Sequence, residues 1–459
     1  MFRIFLALDE EAENVHNLIS CDKIRMMMGE VPLKPINSKQ IKDCVVIGAA
    51  LFAMFFGAGN MIFPPYLGLR AGVEWFAAFM GYYLADVGLA VVAMLALIRS
   101  GGSEGLLRPL GRVWSTGLMV SIMMCLGPLI SIPRTAATTF ELSVAPLWRG
   151  AQAELFCGGF FVVVFLLSVN ESAVVDIVGK ILTPVLFVSL LILIVKGVLF
   201  PLGAVTAPPI SDRVVASGIS AGYQTMDVLA SVVFGALILN SAARKGYTAP
   251  KEQAAASVGA SLVAGAGLLL IYAGLTYLGA TAQALPNTRL TRIELLVALV
   301  QAILPGKMGM VFFGVIAALA CLTTAIALTS AAGKYFAELT HGRVSYRMWV
   351  AAICAFSAGV SGIGVERLVE LASPILGVVY PPVLALVVLS FAGKQNARWF
   401  YRLPAGAAMM VGLLEIMGEP VVERLPLAGL GLAWVMPVCL SAAMGYILDT
   451  RYEKTLPSA

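Results

Sequence analysis

The chain has 459 residues, of which 59% are hydrophobic and only 12% are charged, and its mean hydropathy is +0.90. Soluble domains carry roughly twice that share of charged residues, so the composition argues against a soluble globular fold and indicates an all-α protein built in lipid. The net charge of +5 does not call for nucleic acid, because membrane proteins collect Lys and Arg in their cytoplasmic loops.

The N-terminal segment, residues 1–40, differs in composition from the rest of the chain. It has mixed charges and a short apolar stretch, 2–8, which is too short for the core of a signal peptide. We expect a cytoplasmic tail or an upstream extension whose true start is an internal Met. An interfacial regulatory arm is the alternative. The membrane body is expected to span 41–450, followed by a short C-terminal tail, 451–459.

About twelve apolar stretches approach the length of roughly 20 residues that a spanning helix needs. With the N-terminus in the cytoplasm, about 21 of the 31 Lys and Arg residues lie on the inner side and about 8 on the outer side. This asymmetry predicts a multi-pass protein of the cell inner membrane with both termini cytoplasmic. The stretches are 44–67, 75–98, 115–138, 155–170, 174–199, 217–240, 256–280, 308–333, 346–363, 368–391, 402–418 and 428–448.

The first span is predicted to be broken. Its sequence LFAMFFGAGNMIFPPYLG places Gly57, Gly59 and Asn60 in mid-membrane, with Pro64 and Pro65 directly after them. Unpaired backbone is tolerated in hydrocarbon only where it lines a cavity or is buried in protein, and a broken span is a sign of a transporter binding site. The alternative interpretation is a kinked packing helix.

Two further spans contain ionisable residues, which at such depth are candidates for function. Arg134 lies in the third span and must find a carboxylate, backbone carbonyls or water, unless it snorkels to the outer surface. Asp227 lies in the sixth span beside Thr225 and Gly222. The alternative for Asp227 is a carboxylate at a helix end that reaches a polar interface.

The first and sixth spans are five apart and therefore run in opposite directions. Broken helices in equivalent positions predict an inverted repeat, with repeat one at about 44–200, repeat two at about 217–391 and two additional helices at about 402–448.

Two later segments each allow two interpretations of their function. The stretch 281–305 contains TRIELLVALVQAI, an amphipathic helix that could be a lid over a vestibule or a simple interfacial helix. In the eighth span, Thr323 and Thr324 are adjacent. Their hydroxyls could bond back to the preceding turn or serve as oxygen ligands for a hard cation.

Other classes of protein lack their sequence signals. The seven cysteines form no CxxC pair, and His16 and His341 lie outside the apolar stretches, which leaves no redox or metal centre in the membrane. HExxH, a Gly-x-Ser-x-Gly elbow and an ATP-binding loop are absent, so we expect no enzyme and no cofactor. A channel would need a continuous polar stripe along its spans, and the polar residues of this sequence are isolated instead. A secondary transporter fits best.

Six ordered blocks carry a resemblance to a known family: FFGAGNMIFPPYLGL, GPLISIPRTA, VDIVGKILTPVLF, GYQTMDVL, ACLTTAIALT and SPILGVVYPP. From about residue 44 to the C-terminus the chain resembles the branched-chain amino acid:cation symporter (LIVCS) family. The resemblance implies the five-plus-five inverted-repeat fold and import of leucine, isoleucine and valine with sodium or protons. The partners would be this small-molecule substrate and membrane lipid. Another small amino acid or neutral solute is the alternative.

The resemblance also implies site residues, because GAGNMIFP and CLTT are similar to the first helix and the eighth-helix sodium site of neurotransmitter:sodium symporters. The substrate carboxylate would meet the amides of Ala58 and Gly59, and its amino group the Phe55 carbonyl and the region of Thr225. Asn60 would bind a second ion or the substrate, and Asp227 lies near the proposed break in the sixth span. One sodium ion would be held by five residues, which are the carbonyls of Ala53, Phe56 and Ala320 and the hydroxyls of Thr323 and Thr324.

Overall fold

The computed structural model describes residues 38–455 except 149, 170–173, 248, 285–289 and 393–396. Within this part of the chain the secondary structure is helical and contains no strand. Of the two predicted tails, residues 1–37 and 456–459 lie outside the described residues. The helices are α1 (Ser38–Phe55), α2 (Ala58–Ala71), α3 (Trp75–Tyr83), α4 (Leu89–Ser100), α5 (Ser103–Leu107), α6 (Arg112–Met124), α7 (Ser131–Thr139), α8 (Ala153–Val169), α9 (Val174–Leu199), α10 (Val214–Thr225), α11 (Asp227–Arg244), α12 (Pro250–Thr281), α13 (Arg292–Ile303), α14 (Lys307–Leu339), α15 (Tyr346–Ser361), α16 (Val365–Ser390), α17 (Trp399–Ile416), α18 (Pro420–Glu423) and α19 (Val435–Thr455).

The all-α membrane fold is confirmed, and each predicted span coincides with one helix or one pair of helices. Short π-helical turns, Leu84–Gly88 and Cys125–Leu129, join α3 to α4 and α6 to α7. Five described stretches are by themselves long and apolar enough to cross a membrane, so the number twelve is not confirmed. These five are Ala58–Ser100, Arg112–Val144, Glu252–Thr281, Lys307–Leu339 and Val365–Ser390.

The predicted break in the first span lies between α1 and α2. Helix α1 ends at Phe55, and Gly57 is extended, with φ −113° and ψ −163°. Pro64 and Pro65 do not end α2, which continues to Ala71. The glycine therefore makes the break, and the first amides of α2 are left without carbonyl partners in their own helix.

The break in the sixth span lies at Met226, between α10 and α11. Met226 adopts the left-handed conformation, with φ +68° and ψ 19°. This conformation costs a residue other than glycine about 1–3 kcal/mol, so the surrounding packing must hold it in place. Met226 is completely buried, as that explanation requires.

Glycines allow α12 to pack directly on the backbone of α2. A Cβ atom at Gly68 would lie 1.8 Å from the carbonyl oxygen of Thr276, and one at Gly279 would lie 1.8 Å from that of Pro65. Small residues at such contacts are typical of membrane helices, which gain little hydrophobic energy from one another and associate through close packing. This contact fixes α2 next to Tyr272, which lies on α12.

The segment predicted as a lid or an interfacial helix forms α13. Thr291 caps its N-terminus, with the Thr291 hydroxyl accepting from the Glu294 amide. Its apolar face is buried, and Arg292 forms an ion pair with Glu366 at the start of α16 while lying 4.7 Å from the ring centre of Tyr66. The helix is therefore attached to α2 and α16.

Candidate functional site

A buried cavity lies where the two breaks meet. The space open to the centre of a water molecule is about 20 Å³, and a single water needs about 10–15 Å³ of such space. The cavity as shaped has no room for an amino acid, so a substrate can enter only after the helices move. The lining residues are Met54, Phe55, Gly57, Ala58, Gly59 and Asn60 at the first break, Thr225, Asp227, Ala230 and Phe234 at the second, and Leu126, Ser131, Arg134, Thr324 and Leu328.

The cavity brings together all six predicted substrate residues and one of the five predicted sodium ligands. Phe55, Ala58, Gly59, Asn60, Thr225 and Asp227 line it, together with Thr324. The other four predicted ligands, Ala53, Phe56, Ala320 and Thr323, are not part of the lining.

Asn60 connects the two broken helices. Its Nδ2 donates to Oδ2 of Asp227 at 3.0 Å and also to the hydroxyl of Tyr272, while its Oδ1 accepts from the Gly57 amide at 3.4 Å. All four groups are buried. Asn60 is in the first turn of α2 and Asp227 is the first residue of α11, so this hydrogen bond couples the positions of the two breaks.

Arg134 is completely enclosed and does not snorkel to the surface. Its exposed fraction is 2%, and its Nη1 donates to the backbone carbonyl of Gln224 at 2.7 Å. Of the partners expected from the sequence, the structure therefore shows a backbone carbonyl. A Cβ atom at Gly59 would lie 2.9 Å from Nη2, so the guanidinium is also next to the N-terminus of α2. Sequence analysis identified the residue but not this role.

Thr323 and Thr324 adopt the back-bonded arrangement that was the alternative to cation binding. Both hydroxyls donate to the carbonyl of Ala320, at 2.9 and 3.1 Å. The Thr324 hydroxyl also faces the first break, since a Cβ atom at Gly57 would lie 3.6 Å from it. The hydroxyls retain lone pairs for a cation, whereas the Ala320 oxygen already accepts two hydrogen bonds.

Two residues of this region were missed by sequence analysis. Asp86 is fully buried and hydrogen-bonded to Thr225, with 2.7 Å between Oδ1 and Oγ1. Tyr272 is the partner of Asn60. A lone acid in the apolar run YYLADVGLAVVAML is a signal that could have revealed Asp86. A tyrosine in a long apolar helix carries no such signal.

Solved structures with the same architecture are transporters. The chain matches the closed conformation of Mhp1, a nucleobase-cation-symport-1 family transporter with bromovinylhydantoin bound, with a TM-score of 0.62 and 13% identity over 90% of this chain and 93% of that one. It also matches a Na⁺-coupled sialic acid symporter with a TM-score of 0.57 and 12% identity over 88% and 90%. The chain therefore has the inverted-repeat membrane fold of these structures.

The sequence comparisons give the family. The chain is 35% identical over 434 residues to the branched-chain amino acid permease BraB of Bacillus subtilis (strain 168), covering 90% of this chain and 96% of BraB. It is 34% identical over 433 residues to the branched-chain amino acid permease BrnQ of Escherichia coli (strain K12), covering 91% and 98%. The family model described as "Branched-chain amino acid transport protein" matches residues 40–452. The chain belongs to this family, which confirms the resemblance, and it is a transport protein and not an enzyme.

Proposed function

We propose that this protein imports leucine, isoleucine and valine through the membrane by alternating access, coupled to a cation. The observation that supports the proposal is the cavity at the two breaks, which has a positive end, a negative end and an apolar wall. Those three features match an amino-acid zwitterion with an aliphatic side chain. The related permeases BraB and BrnQ are named for branched-chain amino acids.

The positive end would bind the substrate carboxylate. The amides of Ala58 and Gly59 begin α2, where the helix dipole favours an anion. Arg134 places a full positive charge at the same point. A cation next to a helix N-terminus is unfavourable by itself, and an anion between the two would resolve the repulsion.

The negative end would bind the substrate ammonium group. Asp227 supplies a carboxylate, and the ends of α1 and α10 supply carbonyl oxygens at Phe55 and Thr225 that have no partner in the following helical turn. Both ends of the zwitterion would thus be bound by the broken helices, so substrate binding would draw the two breaks together.

The apolar wall would bind the branched side chain. It consists of Leu126, Ala230, Phe234 and Leu328, which come from three different helical segments. An apolar pocket separates homologues by only about 1–3 kcal/mol per methylene. Leucine, isoleucine and valine are therefore expected to compete for the same site.

Sodium is the proposed coupling ion, with protons as the alternative. The five oxygens of the sodium site would be the carbonyls of Ala53, Phe56 and Ala320 and the hydroxyls of Thr323 and Thr324. A cation there requires the two hydroxyl hydrogens to turn away from the Ala320 oxygen. Such a site would tie α14 to the first break and favour one state of the cycle.

The transporter body, 41–450, is proposed to lie in the cell inner membrane with both termini cytoplasmic, on the basis of the Lys and Arg asymmetry. Residues 44–200 and 217–391 would be the two repeats.

Uptake of radiolabelled leucine into proteoliposomes tests the proposal. We expect uptake that unlabelled isoleucine and valine inhibit and that lysine and glutamate do not. Uptake of lysine or glutamate without uptake of leucine would refute the assignment. Uptake of small neutral amino acids without branched ones would support the alternative substrate. Empty liposomes and liposomes without an ion gradient are the controls.

A further inference from the structure

Two buried carboxyl groups meet behind the cavity. Asp86 and Asp227 are 0% and 3% exposed, and they are neighbours, because Thr225, two residues before Asp227, is hydrogen-bonded to Asp86. Asp227 lines the cavity, whereas Asp86 does not. Asp86 is in the π-helical turn between α3 and α4 and lies against the last residue of α10, Thr225.

The charges around this pair do not balance if both acids are ionised. The charged group that faces them is Arg134. The other ionisable neighbours are the hydroxyls of Tyr82, Tyr83, Tyr272 and Tyr380, with the Cys321 thiol next to Arg134. Two carboxylates in contact repel, and a shared site of this kind keeps one of them protonated. A single proton on the pair leaves one negative charge against one positive charge.

Thr225 connects this pair of acids to the break in the sixth span. Its hydroxyl donates to Oδ1 of Asp86 at 2.7 Å and also contacts the carbonyl oxygen of Gly222 in the preceding turn. A hydroxyl has one hydrogen, so Thr225 can donate fully to Asp86 only when that hydrogen points away from Gly222.

The ionised form of Asp86 also has a donor ready. The Tyr82 hydroxyl is completely buried beside the Asp86 carboxyl, yet neither it nor Oδ2 of Asp86 has a hydrogen-bond partner in the described structure. Buried polar groups are ordinarily paired. Tyr82 is therefore a candidate donor to Asp86 once the carboxyl proton has left.

We propose that Asp86 and Asp227 form a proton-binding pair that shares a single proton in this state and releases it during the transport cycle. In the release step the O–H bond of the protonated carboxyl group breaks, the proton passes to a water molecule that enters from the inner side, and both acids are then carboxylates. Thr225 ends α10 at the break, so movement of the break would withdraw the Thr225 hydroxyl from Asp86 and change the affinity of the pair for the proton.

This inference rests on the proposed function and adds the proton to sodium as a coupling ion, and proton-driven accumulation of leucine tests it. Purified protein is reconstituted in liposomes with equal sodium on both sides, a clamped membrane potential and an inward pH gradient of one unit. Coupling of one proton to one leucine gives about tenfold accumulation for each pH unit. The parent should reach this ratio, and the variant Asp86→Asn should accumulate no leucine.

Two controls separate the possible failures. Asp86→Asn should still exchange internal for external leucine, because Asp86 does not line the cavity, and Glu370→Gln, at an exposed carboxylate on α16, should accumulate leucine like the parent. A parent that exchanges leucine but ignores the pH gradient, or a variant that accumulates as the parent does, would overturn the proton site. A parent that does not exchange leucine at all would instead refute the proposed function.

Infrared spectroscopy decides the case in which Asp86→Asn loses exchange as well. At neutral pH the parent should show the carbonyl band of a buried, protonated carboxyl group, shifted in heavy water, and Asp86→Asn should lack it. Absence of that band from the parent would contradict the inference whatever the transport data show.

Discussion

Replacing Asn60 by Leu should destabilise the protein substantially, because Asn60 is the direct link between the two broken helices. Leu has the same branching and the same number of side-chain heavy atoms, so the change removes the hydrogen bonds without opening a cavity. The bond to the Asp227 carboxylate is of the charged kind, worth about 1.5–3 kcal/mol, and the bond to the neutral Tyr272 hydroxyl is worth about 0.5–1.5 kcal/mol. The expected loss in the free energy of unfolding is about 2–4.5 kcal/mol.

The measurement is an equilibrium unfolding titration with a denaturing detergent. The matched control is Thr276→Val, since the Thr276 hydroxyl is equally buried but bonds only within its own helix, to the Tyr272 carbonyl at 2.7 Å. This control should lose about 0.5–1.5 kcal/mol. A double-mutant cycle of Asn60→Leu with Asp227→Asn should show a coupling of about 0.5–3 kcal/mol. If Asn60→Leu loses no more than the control, or if the cycle is additive, the link between the breaks is wrong.

Three further predictions concern transport and packing. Asp227→Asn should sharply reduce leucine uptake, since the ammonium group loses its carboxylate; full uptake with unchanged ion dependence would return Asp227 to a helix-end role. The double variant Thr323→Ala, Thr324→Ala should need much more sodium for half-maximal uptake, and an unchanged sodium affinity in a sodium-dependent parent would remove the proposed site. Gly68→Ala places a Cβ atom 1.8 Å from a carbonyl oxygen of α12, and unfolding titrations should show a loss of about 1–3 kcal/mol in the free energy of unfolding. Gly377→Ala places its Cβ atom in open space and should leave the free energy of unfolding unchanged. Equal losses in the two variants would contradict the packing of α2 on α12.

The sequence predicted the existence of both breaks better than their causes. Gly57 is a conspicuous signal because two glycines and an asparagine interrupt an apolar run. Proline ordinarily interrupts a helix, yet Pro64 and Pro65 lie within α2. Neighbouring helices can compensate for the backbone hydrogen bonds that the prolines remove. Met226 has no intrinsic preference for the left-handed conformation, so its position follows from tertiary packing and could not be derived from residue type.

The partners of the buried ionisable groups could not be predicted from the sequence for a related reason. Arg134 contacts a carbonyl 90 residues away, and Asp86 contacts a hydroxyl 139 residues away. Spacing along a helix predicts contacts three or four residues apart, whereas these contacts depend on which helices become neighbours. The inverted repeat predicted that the two breaks would meet, and the six substrate residues that the resemblance implied do line one cavity at the breaks, whereas Asp86 and Tyr272 were not predicted.

The central claim is that leucine binds between the two breaks, and a cryo-electron microscopy map of the protein with saturating leucine tests it most directly. We expect ligand density enclosed by Gly59, Arg134, Thr225 and Asp227, in a cavity wider than the present one, with the carboxylate towards Gly59. A second and larger cavity, lined by Glu141, α13 and the start of α16, provides the comparison within the same map. Leucine density in that cavity, with none between the breaks, would contradict the account.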